Sequence, residues 1–163
     1  MNSILQTILI GTGATLFMDL YALILRFFNI KSLDYKFVGR WIGHFPKGKF
    51  FHNKIFESQA INYEVQLGWI THYLIGITFA FLLVFIFGKK WIETPTLTPA
   101  LIIGIITIVG PFLLMQPAFG FGIAGSNLPD PSKARLMSLI THSIFGIGLY
   151  ISAIILNQIT KTL

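Results

Sequence analysis

Cysteine is absent from the 163 residues. That removes disulfides, thiolate metal ligands and thiol nucleophiles, and it leaves the redox compartment undefined. Charge is scarce. Lys, Arg, Asp and Glu make up 11% of the chain, against about 25% in soluble domains. Acid is scarcer than base, with six Asp and Glu against twelve Lys and Arg. So few charges cannot cover a water-facing surface. What fills the chain instead is apolar, 54% of all residues, and the composition is that of a membrane protein.

A helix needs roughly 20 apolar residues to cross a bilayer. Four segments qualify, at 3–28, 65–88, 94–119 and 134–159. The second and third contain no Asp, Glu, Lys or Arg, and the first is broken only by Asp19 and Arg26. Transmembrane strands would need short alternating segments, and none occur. The first segment does not read as a signal peptide. No basic residue precedes its apolar run, Asp19 lies inside it, and no small-x-small cleavage site follows. The expected fold is therefore all-α, with four transmembrane helices arranged as two hairpins in a single domain.

The excess of base follows topology rather than nucleic-acid binding. Nine of the twelve Lys and Arg residues sit in or beside the loops 29–64 and 120–133. The positive-inside rule places those loops in the cytoplasm and both termini outside.

The halves echo each other. Ile70-Thr71-His72 is followed by Gly76-Ile77, and Ile140-Thr141-His142 by Gly146-Ile147, at a constant offset of seventy residues. Ile8-Leu9-Ile10-Gly11 resembles Leu101-Ile102-Ile103-Gly104. Met18-Asp19 matches Met115-Gln116 only if a few residues are inserted. A duplicated hairpin would relate the halves by an axis along the membrane normal.

The first loop begins with Ser32, a suitable N-cap. Leu33, Phe37, Val38, Trp41, Ile42 and Phe45 then recur at near-helical spacing, with Lys36 and Arg40 between them. This predicts a short amphipathic helix at the membrane surface. His44 and His52 read as ordinary surface residues of that loop. The second loop contains Gly120-Phe121-Gly122-Ile123-Ala124-Gly125. It matches the dinucleotide fingerprint literally, but a membrane helix precedes it where a strand is required. Asp130-Pro131 supplies an N-cap and first-turn proline, so the last helix should start near Pro131. Gly110-Pro111 should kink or break the third span.

Ionisable groups inside a membrane are costly and mark functional sites. Asp19, His72, Gln116 and His142 all fall about 5–16 Å below the loop-side surface at about 1.5 Å rise per residue. Arg26 and Arg135 would sit above them. These six are the expected ligand-binding residues. Small residues flank each histidine: Gly68 and Gly76 beside His72, Ser138 and Gly146 beside His142. Several readings follow. The groups could simply hold helices together. They could bind or pass a small polar ligand, ion or proton. His72 and His142 could ligate haem, or with Asp19 a divalent metal. An enzyme acting on a lipid-borne substrate is a further reading, though no nucleophile stands beside a base at a telling spacing. The catalytic residues, if any, stay unassigned. Membrane lipids are the expected partners, with a second copy or another membrane subunit completing so small a bundle, and nucleic acid is not expected.

Several phrases run in fixed order: Gly11-Thr12-Gly13-Ala14-Thr15, Met18-Asp19, Ser32-Leu33-Asp34-Tyr35, Val38-Gly39-Arg40-Trp41, Gly43-His44, Gly68-Trp69, His72-Tyr73, Pro95-Thr96, Pro99-Ala100-Leu101, Met115-Gln116-Pro117 and Gly120-Phe121-Gly122-Ile123-Ala124. Together they resemble a family of bacterial integral membrane proteins catalogued as domain of unknown function 2938. The resemblance implies four membrane helices in a bacterial inner membrane. It brings no reaction and no catalytic residues.

Overall fold

A computed structural model describes residues 2–30 and 32–162, with side chains to 161. Helix α1 spans Ser3–Phe27. The Asn2 side chain caps it, accepting from the Ile4 amide at 3.0 Å. Asn29 ends it in the left-handed region at φ 57°. There Ile30 N–H donates to Leu25 O, closing the chain back over the last turn. Helix α2 covers Lys36–Gly43. It starts later than expected, and Ser32 is not its cap. Tyr35 takes the N-cap position, and Asp34 just before it accepts from the Lys36 amide at 3.0 Å.

Helix α3 runs Glu64–Phe87, α4 is the single turn Lys90–Glu93, and α5 covers Leu97–Ile106. Pro111 has no N–H to offer the carbonyl one turn back. The helix accordingly breaks after Ile106 and re-forms as a π-helical stretch, Pro111–Met115, followed by α6, Gln116–Ala118. Helix α7 spans Pro131–Thr162. It begins where Asp130 accepts from the Lys133 amide at 3.0 Å. No strand forms among the described residues.

Four helical segments are long and apolar enough to cross a membrane: Ser3–Phe27, Glu64–Phe87, Leu97–Ala118 and Pro131–Lys161. Only 22–28% of each apolar window is buried within the protein. Leu16, Leu20, Phe85 and Leu114 are among the large apolar side chains left outside. In water such a surface would drive aggregation; against lipid tails it costs nothing. The fold is thus an all-α membrane protein.

The chain divides into two compact units. The first comprises Met1–Ser32, Tyr73–Thr107 and Ile140–Leu163. Its core is Ile10, Ala14, Ala80, Leu83, Ile103, Phe145, Leu149 and neighbours. Glycines bring its backbones together. A Cβ on Gly11 would lie 2.7 Å from Ile77 Cα and 3.1 Å from Gly76 O. A Cβ on Gly104 would lie 2.5 Å from His142 O and 2.9 Å from Gly146 Cα. Gly11 and Gly104 are the matched residues of the sequence repeat, and so are Gly76 and Gly146. The repeat is therefore a repeat of packing: α1 meets α3 as α5 meets α7. Close backbone approach through small residues is how helices associate where no hydrophobic force separates them from solvent. Asn157 fastens the α4 turn to α7, donating to Ile92 O at 2.7 Å and Glu93 O at 3.1 Å.

The second unit comprises Leu33–His72 and Ile108–Leu139. It joins the first loop to the second. His52 N–H donates to Ala118 O at 2.8 Å and Ile55 N–H to Phe119 O at 3.0 Å. Ile55 and Phe119 are fully buried, and with Val38 and Ala118 they form its core. Helix α2 crosses the start of α3 at two glycines. A Cβ on Gly39 would overlap Glu64 O, and one on Gly68 would overlap Tyr35 O. One face of the amphipathic helix therefore packs on protein, burying Val38, Gly39 and Arg40.

Candidate functional site

Asp19, Arg26 and His142 belong to the first unit. Asp19, midway along α1, accepts a hydrogen bond from the Tyr73 hydroxyl. His142 Nδ1 lies 2.9 Å from Thr107 Oγ1. The Thr107 hydroxyl itself donates to Gly104 O at 2.7 Å. The ring nitrogen is then the donor to Thr107, which fixes the Nδ1–H tautomer. Arg26 is exposed near the end of α1. Asp19 and His142, both partly buried, thus have internal partners on a neighbouring span.

His72, Gln116 and Arg135 belong to the second unit. The His72 ring stacks on Tyr35, centroids 3.9 Å apart and planes 21° apart, with Trp69 edge-on to Tyr35 at 4.9 Å. Arg135 donates to Ala124 O at 3.0 Å. Gln116 is 7% exposed. Its Oε1 is buried with no hydrogen-bond partner among the described residues. It stands directly after the π-helical stretch. A Cβ on Gly125 would come within 3.6 Å of that oxygen, so the glycine turn of the second loop covers it. The loop that mimics a dinucleotide fingerprint is in fact a lid over a buried amide. Gly120, Gly122 and Gly125 all hold positive φ there, joined by Ala124 at φ 49°.

Sequence reasoning missed a second polar cluster. Arg40, inside α2, is 7% exposed. It grips the Glu64 carboxylate with two bonds of 2.8 Å. Its third nitrogen donates to the carbonyls of Ile55, Phe56 and Ser58 at 3.2, 3.4 and 3.0 Å. One guanidinium thereby ties α2, the 55–58 turn and the start of α3 together. The carboxylate pushes the Arg40 guanidinium further up from its ordinary value, chiefly through the hydrogen bonds.

His44 and His52 correct the expectation of surface residues. They are 4% and 5% exposed, with ring centroids 5.0 Å apart. The loop folds back over them, so no local pattern betrays their burial. Burial holds both rings below the ordinary histidine range, aided by Lys49 and Arg40 for both and by Lys47 for His44. The one sequence signal was the pair of glycines, Gly39 and Gly43, on the face that also carries Arg40 and His44 at helical spacing. Among the described residues no group of three or more His, Cys, Asp and Glu side chains is placed to hold a metal ion.

These features define the class: an α-helical membrane protein with four apolar helices and buried polar residues both within them and beneath its longest loop. Within that class the chain belongs to the family described as a protein of unknown function, DUF2938, whose profile matches residues 8–156. No curated protein and no solved structure matches it.

Proposed function

We propose that the protein binds a small polar ligand or ion within its membrane-spanning part, as a multi-span protein of a bacterial inner membrane. The observation that carries this reading is the Gln116 carbonyl oxygen. A buried polar atom without a partner costs about 1–3 kcal/mol, and such groups persist where something else supplies the bond. π-Helical turns concentrate at functional sites for a related reason, since they redirect side chains and free carbonyls. Here both features fall together in an apolar span. Asp19, His72 and His142 lie along the other three spans and are the kind of residue that coordinates ions or relays protons in a membrane. The basic loops 29–64 and 120–133 face the cytoplasm under the positive-inside rule.

A structural role is the competing reading, favoured by the internal partners of Asp19 and His142. Native mass spectrometry of the detergent-purified chain, with and without Gln116→Leu, separates the two. Added mass of a small polar species that Gln116→Leu removes supports binding. A bare wild-type chain, together with liposomes no leakier to protons or alkali ions than empty ones, supports the structural role.

A further inference from the structure

We propose that His44 and His52 form a two-histidine site for a divalent transition metal of the zinc class, held beneath the first loop. The inference stands apart from the intramembrane reading, because it uses different residues and a different ligand.

The hydrogen bonds leave each ring with one nitrogen to spare. Ser58 Oγ donates to Lys54 O at 3.2 Å, so His52 Nδ1, 2.9 Å from that oxygen, is the donor to Ser58. His52 Nε2 then carries the lone pair, and it is buried without a partner. His44 bonds through the ring to the Gln59 backbone. Its Nδ1 is likewise buried without a partner. Two neighbouring rings thus each hold a basic nitrogen out of water with nothing to accept from. Both nitrogens carry free lone pairs, which one metal ion between the rings would take up.

The rings are not bonded to each other, since each spare nitrogen lacks any partner. A zinc-class ion sits about 3.2 Å from each ring centroid, from a metal–nitrogen bond of about 2.0–2.1 Å plus a ring radius of about 1.1 Å. Centroids 5.0 Å apart then subtend about 103° at the ion, close to the tetrahedral angle. A two-coordinate monovalent ion would need its ligands opposite one another, with centroids about 6 Å apart. The observed centroid spacing is compatible with one tetrahedral ion shared by the two rings.

The surroundings suit it in two further ways. A metal needs neutral imidazoles, and burial with nearby Lys49 holds both rings below the ordinary histidine range. His52 also lines a polar surface depression of about 380 Å³ with Lys49, Glu57 and Ser58. The second-shell pattern is also present, because each spare nitrogen belongs to a ring whose other N–H is held by an oxygen. Two coordination positions remain for water or for an incoming ligand. Lys47 and Lys49 would favour a small anion or hydroxide there.

The test is a cobalt(II) titration of the full-length chain in detergent, with any affinity tag removed, followed by zinc(II) competition. The expected result is saturable one-to-one binding with the intense visible bands of a four-coordinate ion, bleached by zinc. His44→Gln with His52→Gln should lose it. Because that double variant could fail to fold, the wild-type chain is also treated with diethyl pyrocarbonate. Zinc should protect His44 and His52 from modification. Absence of saturable binding by the wild-type chain, the weak bands of a six-coordinate ion, unchanged binding in a folded double variant, or no protection of the two rings would each overturn the proposal.

Discussion

Removing the Arg40 side chain should release the first loop while leaving the apolar helices in place. Arg40 and Glu64 have side-chain exposures of 8% and 14%, so solvent does little to screen their pair. Arg40→Met deletes both carboxylate bonds and the three bonds to the carbonyls of Ile55, Phe56 and Ser58. Glu64 is left with the Ile61 amide at 3.2 Å as its remaining hydrogen bond. Breaking a buried pair from one side costs about 3–5 kcal/mol, most of it the stranded charge. At about 1.4 kcal/mol per decade, local opening of the loop should become about 10²–10⁴-fold more frequent. Hydrogen–deuterium exchange in detergent reads this at the amides of His52 and Ile55, which bond Ala118 and Phe119. The double variant Arg40→Met with Glu64→Leu should recover much of the protection, because it strands no charge. Exchange within about threefold of wild type in Arg40→Met would refute the reasoning. So would a double variant looser than the single.

Gly104→Val should destabilise the first unit by about 1–3 kcal/mol or more, since its side chain has no space against His142 O and Gly146; a thermal melt in detergent unchanged from wild type would contradict the backbone contact. Acid should loosen the second unit. His44 and His52 titrate lower in the folded chain than in the unfolded one, so the unfolded chain takes up protons first and stability falls as pH drops below the ordinary histidine value. Exchange at His52 and Ile55, corrected for intrinsic rate, should therefore accelerate between pH 7 and pH 5, and the His44→Gln/His52→Gln variant should flatten that slope. Gln116→Leu should leave the fold intact or slightly firmer, because it removes a buried oxygen with no partner; a marked loss of thermal stability would show that the amide holds the π-helical turn together.

Local chemistry made much of the fold legible. Asp130-Pro131 announced the start of α7, and Gly110-Pro111 announced the break that became the π-helical stretch. Both depend on residues adjacent in sequence. The repeated glycines were visible as a pattern, and the structure gives them a common task in backbone contact. Ser32 misled because any Ser, Thr, Asp or Asn near a helix start can cap it, and Asp34 was two residues closer. The buried cluster of Arg40, His44, His52 and Glu64 was hidden for a different reason. Its members come from a loop rich in Lys, Phe and Gly, and their burial depends on partners at Ala118 and Phe119. Nothing within a window of ten or twenty residues encodes that. Of the expected site residues, Gln116 is the one whose buried oxygen has no partner among the described residues, and its depth in the third span was what first selected it.

The pairing of residues 52–55 with 118–119 also sets an order of events during synthesis. The chain emerges N-terminal end first. When the first two spans have been made, the amides of His52 and Ile55 have no acceptors, because Ala118 and Phe119 have yet to leave the ribosome. The segment 52–55 must wait for those acceptors through the production of the α4 turn and the whole third span. Nearby charges serve it in that interval: Lys47, Lys49 and Lys54 keep an aromatic segment in water until its partner arrives. Whatever the second unit binds, it can bind only after Ala118 and Phe119 have been made.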